Sequence, residues 1–167
     1  PFDSIQEAID QAIVERNCHG CGIARHLIHV VQGNYYDESS INWIGIDLQI
    51  RGGFKEPGNL IRNPRKYPTI IEGKALENEK IRTEYLTAYD EKTGMGSELS
   101  GFIFTNHEDT AFKRLIISND SGDLTVKDST FTRTYRSVSI YSIHGNIFGQ
   151  NNLHTHNYAY DYPYWGE

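Results

Sequence analysis

The sequence predicts an all-β protein that is built as a short solenoid of stacked coils, with one α-helix capping its N-terminal end. Among its 167 residues are 19 Ile, 11 Tyr and 15 Gly. Ile and Tyr favour strands, whereas Gly favours the left-handed turns that separate them. Strand-like segments also recur about every 22 residues, a period typical of coils that stack because none can bury its inward side chains alone.

Length and charge exclude several classes of protein. A chain of 167 residues suits one domain with a single core. The formal net charge is -6, with no block of Lys or Arg, which argues against binding to nucleic acid or to an anionic membrane surface. The apolar runs are too short for a transmembrane span. Because the sequence begins with Pro1 rather than Met, we expect that an upstream segment was removed or that the chain is part of a longer one.

The helix signal covers residues 3–14. Ser4 and Glu7 fit a capping box, in which each side chain serves a backbone amide of the first turn. The apolar residues of this segment fall on one helix face. They are Ile5, Ala8, Ile9, Ala12 and Ile13. We therefore expect residues 1–22 to form a helical cap and a loop that cover the first coil.

Short apolar segments separated by turn residues follow over residues 23–157, which we predict to be the coils. The predicted strands are 27–31, 41–44, 47–50, 69–71, 99–105, 112–117, 124–127, 138–143 and 147–148. The polar stretch 74–96 interrupts this rhythm. We expect it to be an inserted excursion out of the core.

Two series of segments define the repeat. Segments 102–106, 124–128 and 147–151 align at offsets of 22 and 23 residues, and segment 115–117 recurs 23 residues later as 138–140. The stacks expected along the solenoid axis are Phe102 with Leu124 and Ile147, and Asn106 with Asp128 and Asn151. A β-sandwich is the alternative fold, but the repeat region lacks the Asn-Gly and Asp-Gly dipeptides that favour its hairpins.

Several segments resemble right-handed parallel β-helix proteins of the pectin-lyase-like class. The N-terminal resemblance is carried by Phe2-Asp3-Ser4-Ile5-Gln6-Glu7-Ala8-Ile9-Asp10 and by Gly33-Asn34-Tyr35-Tyr36-Asp37-Glu38. Segments 48–54, 68–73 and 99–106 are similar to later coils of secreted and surface-anchored bacterial members. The resemblance implies a right-handed parallel β-helix and a secreted or cell-surface location. It leaves function open, because this architecture carries lyases, hydrolases, esterases and adhesins.

From this class we expect a non-catalytic extracellular module that recognises carbohydrate or assembles with copies of itself through the solenoid ends. The alternative is a polysaccharide-active enzyme, most consistent with a lyase acting on an acidic polysaccharide. Such a lyase needs Ca²⁺ or an Arg to neutralise the uronate carboxylate, and a base; no other cofactor is expected. Each charged candidate is first of all explained as an ordinary solvated turn residue. These candidates are Lys113, Arg114, Lys127, Arg133, Arg136, Asp109, Asp120, Asp123 and Asp128.

Two short motifs suggest cross-linking or metal binding. Cys18 and Cys21 form a C-x-x-C pair that fits a local disulfide, two reduced structural thiols, or a metal or redox site. His154 and His156 would point to the same side of a strand and could hold one metal ion. The alternative, which we favour, is that they pack among the aromatic residues that follow.

The C-terminal tail, residues 158–167, alternates aromatic side chains with other residues. Rings with a polar tip suit a half-wet surface, so they could form a platform on which sugars stack. They could also cap the last coil, whose open strand edges would otherwise aggregate, or dock another subunit. The candidate carbohydrate-binding residues are Tyr158, Tyr160, Tyr162, Tyr164 and Trp165.

Overall fold

The computed structural model describes residues 2–16, 26–35, 40–44, 46–73, 79–84, 96–106, 115–121, 123–133 and 138–155. This part of the chain contains one helix, α1 (Ile5–Arg16), and fourteen strands. The strands are β1 His26–Val31, β2 Gly33–Tyr35, β3 Ser40–Ile44, β4 Leu48–Phe54, β5 Thr69–Gly73, β6 Glu79–Glu84, β7 Ser97–Ser100, β8 Phe102–Asn106, β9 Leu115–Ser121, β10 Leu124–Lys127, β11 Thr130–Thr132, β12 Val138–His144, β13 Ile147–Gln150 and β14 Leu153–Thr155.

These strands form three sheets, and every pairing between neighbouring strands is parallel. Sheet A has the order β1-β4-β7-β10-β13, sheet B the order β14-β11-β8-β5-β2, and sheet C the order β12-β9-β6-β3. Neighbours within each sheet are therefore three strands apart in sequence. Each of the first four turns of the chain gives one strand to each sheet, and the described part of the fifth turn gives β13 to sheet A and β14 to sheet B. Each turn stacks on the turn before it. The mostly β, solenoid-like architecture predicted from the sequence is confirmed.

The core runs along the inside of the stack. Strand side chains alternate between the two faces of a sheet, and the apolar inward side chains of the central strands β4, β7 and β10 of sheet A are fully buried. They include Leu48, Ile50, Leu99, Leu124 and Val126. From sheet B, Phe104 and Phe131 stack with ring centroids 5.1 Å apart. Each coil thus buries its apolar side chains against the coils on either side, as expected for a solenoid.

Helix α1 covers the N-terminal end of this core. The Ser4 hydroxyl accepts a hydrogen bond of 3.0 Å from the Glu7 amide, and the Glu7 carboxylate accepts one of 3.1 Å from the Asp3 amide. The predicted capping box is therefore present, with its return bond one residue earlier than usual. Ile5 and Ile9 are buried, and the helix contacts β3 and β1, which belong to the first coil.

The expected stacks are correct for the later coils and wrong for one earlier strand. Leu124 pairs with Ile147, as predicted, and segment 138–140 pairs with 115–117. Phe102, however, lies in sheet B, and the sheet A partner of Leu124 is Ser97. The error arose because strands of sheets A and B carry the same alternation of apolar residues, so an offset near 22 aligned a strand of one sheet with a strand of the other.

Residues within the expected excursion also belong to the solenoid. Strand β6, inside segment 74–96, pairs with β3 and β9 and supplies the second strand of sheet C. A central parallel strand obtains backbone hydrogen bonds from both neighbours. Such a strand can form without a run of apolar residues. The sequence prediction looked for such runs and therefore missed β6.

Residues in the left-handed backbone conformation make the turn between sheets A and B. Gly101, Asp128 and Asn151 occupy equivalent positions in successive coils, with φ values of 77°, 50° and 52°. Asn and Asp tolerate this conformation better than other non-glycine residues. The Asn151 side-chain amide donates a hydrogen bond of 3.2 Å to the Asp128 carboxylate. The predicted Asp128–Asn151 stack is confirmed, and its third member is Gly101 rather than Asn106.

Candidate functional site

The outward side chains of sheet A form two parallel rows. The strand register aligns Leu27, Gln49, Glu98, Thr125 and Phe148, which we call the Glu98 row. It also aligns His29, Arg51, Ser100, Lys127 and Gln150, which we call the Lys127 row. Neighbouring members of a row are about 4.8 Å apart, the spacing between strands. Together the rows form the outer surface of sheet A and run from coil to coil along the solenoid.

Glu98 is the centre of an ion network on this surface. Its carboxylate accepts hydrogen bonds of 2.9 and 3.4 Å from Arg51 and of 3.0 Å from the Ser100 hydroxyl. Lys127 Nζ lies 3.0 Å from the same carboxylate. The Glu98 side chain is only 8% exposed. Burial by itself raises the pKa of this carboxyl, but the hydrogen bonds from Lys127, Arg51 and Ser100 outweigh it and hold the pKa below its usual value.

Arg62 fastens the 55–67 loop to one side of the surface. Its guanidinium donates hydrogen bonds of 2.8 Å to the Gly52 carbonyl and 3.1 Å to the Ser100 hydroxyl, and lies 3.9 Å from the Asp128 carboxylate. A Cβ at position 101 would collide with Arg62 Nη2 and would lie 2.9 Å from the Gly52 carbonyl oxygen, so only glycine leaves room there. The loop therefore stands as a side wall along the Lys127 row. We call the surface and this wall the sheet A groove.

Burial also affects the Arg62 guanidinium. It lowers the pKa of Arg62, while the Asp128 carboxylate opposes the shift and Arg51 adds to it. An arginine remains charged at neutral pH even so. With contacts to a carbonyl, a hydroxyl and a carboxylate, this side chain serves as a clamp between the loop and the coils.

A cleft lies at the N-terminal end of the groove. It has a volume of about 400 Å³ and is bounded by α1, by β1 and by residues 56–59 of the loop. Its polar lining from these elements includes Gln11, Glu15, His26, Glu56 and Asn59. No Lys or Arg is among the described residues that line it.

His29 joins the cleft to the groove. Its imidazole stacks on the Phe54 ring with a centroid distance of 4.1 Å and an interplanar angle of 18°. Burial, followed by the nearby Arg51 and Arg62 charges, lowers the pKa of His29. The ring is therefore neutral at pH 7 and offers a flat face with one donor and one acceptor nitrogen.

Of the two predicted metal ligands, the structure describes His154 but not His156. His154 lies in β14, where its ring stacks on Phe131 at 4.9 Å and 15°, so the imidazole extends the inward aromatic stack of sheet B. Across the described ranges no group of three His, Cys, Asp or Glu side chains is placed to hold a metal ion. The other predicted site residues lie outside the described part of the chain. They are His156, Cys18, Cys21, Tyr158, Tyr160, Tyr162, Tyr164 and Trp165.

Among the charged candidates, Lys127 and Asp128 belong to the groove. Asp123 instead accepts hydrogen bonds of 3.0 Å from the backbone and side-chain nitrogens of Asn146, which makes it a turn residue. Arg133 follows β11 with a positive φ of 53°. The structure describes the backbone of Asp120 only, and the remaining candidates lie outside the described residues. They are Lys113, Arg114, Arg136 and Asp109.

The sequence analysis missed the centre of the groove. Arg51 and Glu98 are 47 residues apart, and Arg62 lies in a loop that gave no motif. The available signal was the glycine at positions 52 and 101, each directly after an outward polar residue of a strand. In a strand, glycine often marks close approach of another part of the chain.

Comparison with protein-family models, with curated protein sequences and with solved structures gives no significant match. The described residues contain no helix that is both long and apolar enough to cross a membrane. The fold and the groove therefore define the class directly: a solenoid-like, mostly β protein with a charged, walled surface on one sheet.

Proposed function

We propose that this protein is a non-catalytic, secreted or cell-surface module that binds carbohydrate in the sheet A groove. We also propose that the solenoid is a short right-handed parallel β-helix of the pectin-lyase-like class. Parallel stacking in three sheets and the resemblance of the N-terminal segments support it. The extracellular location follows from that resemblance alone.

The observation that carries the proposal is the combination of an exposed ring with polar side chains in register on one sheet surface. Phe148 is 53% exposed at the C-terminal end of the Glu98 row. Thr125 lies beside it in register, and Lys127 and Gln150 occupy the adjacent row. Sugar rings present apolar faces and polar edges, which match an aromatic platform bordered by hydrogen-bonding side chains.

The state of the charged groups favours binding over catalysis. Glu98 is held as a carboxylate by three donor side chains, so it is poorly suited to abstract a proton. Arg51 is held by the same carboxylate, and Arg62 is held by three acceptors. A network of this kind keeps the floor of the groove rigid before a ligand arrives, which reduces the entropy lost on binding.

Phe148→Ala tests the proposal. We expect binding to soluble polysaccharides, measured by affinity electrophoresis and calorimetry on a panel of neutral and acidic polymers, to weaken about five- to tenfold because the stacking platform is lost. Leu153→Ala is the matched control, since Leu153 is 55% exposed in the same coil but belongs to sheet B. Equal losses in both variants, or no binding to any polymer by the wild type, would contradict the proposal.

The lyase alternative is tested in the same samples. Wild-type protein incubated with pectate or alginate and Ca²⁺ would produce unsaturated sugars that absorb in the ultraviolet if it were a lyase. Appearance of that absorbance would replace the binding proposal with a catalytic one.

Self-assembly is tested by sedimentation of the wild type and of Leu153→Ala. A concentration-dependent oligomer that the variant abolishes would favour assembly through the solenoid end.

A further inference from the structure

We propose that the N-terminal cleft receives the end of the bound glycan chain and selects an uncharged sugar there over a uronate. This inference rests on the proposed function, because the cleft and the groove are parts of one surface. It specifies which end of the groove holds the end of the glycan chain, and it specifies that the sugar bound there is uncharged. The groove by itself specifies neither.

The cleft is continuous with the groove. Leu27 and His29 line the cleft and are also the first members of the Glu98 row and the Lys127 row. The 55–67 loop borders both, through residues 56–59 at the cleft and Arg62 at the groove. A chain that lies along the rows therefore passes directly into the cleft.

Helix α1 forms the far wall of the cleft. Ala8, Gln11, Ala12 and Glu15, on successive turns of the helix, all line it. A glycan running along the solenoid axis meets this wall and cannot continue in the same direction. The cleft volume of about 400 Å³ is in the lower part of the range for small-ligand sites, about 300–1,000 Å³. A cleft of this size, bounded on one side by α1, suits the end of a chain.

The polar groups of the cleft suit hydroxyl groups. The Gln11 amide donates a 3.1 Å hydrogen bond to Glu15, which orients that carboxylate on the helix surface. Asn59 Oδ1 accepts a 2.8 Å hydrogen bond from the Ile61 amide, which fixes the side chain and leaves its NH₂ group as a donor. Sugar hydroxyls both donate and accept, so they can pair with carboxylate oxygens and with amide NH₂ groups alike.

The same groups disfavour a uronate. Glu15 and Glu56 both line the cleft, and no Lys or Arg among its described lining residues balances them. Arg51 and Arg62, the cations that act on His29, are engaged by Glu98 and by Asp128 with Ser100. His29 is neutral at pH 7. A ligand carboxylate would lose its water shell beside two like charges and gain no ion pair in exchange.

Matched methyl glycosides test this inference by NMR. Methyl β-glucoside and methyl β-glucuronide differ only at C6, as do methyl β-galactoside and methyl β-galacturonide. We expect at least one neutral glycoside to shift the side-chain amide signals of Gln11 and Asn59 and to leave that of Gln150 unchanged. We expect its uronide partner to bind at least fivefold more weakly. Glu56→Gln should narrow this difference, whereas Asp10→Asn, which removes an exposed charge of α1 outside the cleft, should not.

The outcomes separate this inference from the proposed function. Equal or tighter binding of the uronide, or no shift at Gln11 and Asn59 up to the solubility limit of all four glycosides, would overturn the assignment of the cleft. Polymer binding that still depends on Phe148 would then leave the groove proposal standing. Loss of both effects would overturn both.

Discussion

Arg51 and Glu98 form a two-pronged ion pair across the neighbouring strands β4 and β7, with Nε–Oε1 at 2.9 Å and Nη2–Oε2 at 3.4 Å. Their strands belong to successive coils of sheet A, so the pair joins one coil to the next on the outer surface. Lys127, in β10 of the following coil, binds the same carboxylate. One glutamate therefore connects three coils at the centre of the proposed binding surface.

Glu98→Gln should destabilise the fold by about 2–3 kcal/mol. The substitution keeps the shape of the side chain but leaves Arg51 and Lys127 without their counter-charge. Breaking a buried ion pair costs about 3–5 kcal/mol, and this cost is reduced here because both cations reach solvent. Urea unfolding followed by circular dichroism measures the change. A loss below about 0.5 kcal/mol would show that the network contributes little to stability.

Lowering the pH should reduce the free energy of unfolding of the wild type more than that of Glu98→Gln. The pKa of Glu98 is lower in the folded protein than the usual value of 4.5, so the unfolded chain binds the proton more readily. The stabilisation is therefore complete above about pH 4.5 and is lost as the pH falls through the folded-state pKa. Urea midpoints of the two proteins should converge as the pH is lowered from 6 to 3. Parallel curves over that range would contradict the depressed pKa.

Gly101→Ala should destabilise the protein by about 3 kcal/mol, and Gly58→Ala by about 1 kcal/mol. Both glycines have a positive φ, 77° and 78°, so both substitutions meet the same backbone strain of about 1–2 kcal/mol. At position 101 the Cβ would also collide with Arg62 Nη2 and lie 2.9 Å from the Gly52 carbonyl oxygen, whereas position 58 faces open space. Thermal unfolding of the pair measures the difference. Equal losses would contradict the expected crowding of a Cβ at position 101 by Arg62 and Gly52.

His154→Phe should preserve stability, and His154→Ala should lower it by about 1 kcal/mol. The imidazole continues the stack of Phe104 and Phe131, so a phenyl ring can replace it, whereas Ala removes the ring contact. Melting temperatures with and without Zn²⁺ check this. A rise in the wild-type melting temperature with Zn²⁺ that His154→Phe abolishes would instead support the predicted metal site.

Local patterns were sufficient to predict the elements with strong signals. The capping box and apolar stripe of residues 3–14 indicated α1, and segment 124–127 matched β10 in both bounds. The short strands β2, β11 and β14 were not predicted. Each has only three residues. Three residues are too few to show an alternation, and these strands exist because a neighbouring coil supplies their hydrogen bonds.

By itself the sequence determined that the chain is mostly β, that it repeats, and that one amphipathic helix precedes the coils. These properties follow from side-chain periodicity, which is local. Only the tertiary structure decided which strands share a sheet, and hence that Arg51, Glu98, Arg62 and Lys127 meet. Parallel strands pair across long and unequal stretches of chain, and sheets A and B carry the same alternation. The register between strands depends on the lengths of the turns and on packing between coils. Neither can be deduced from a fixed repeat length.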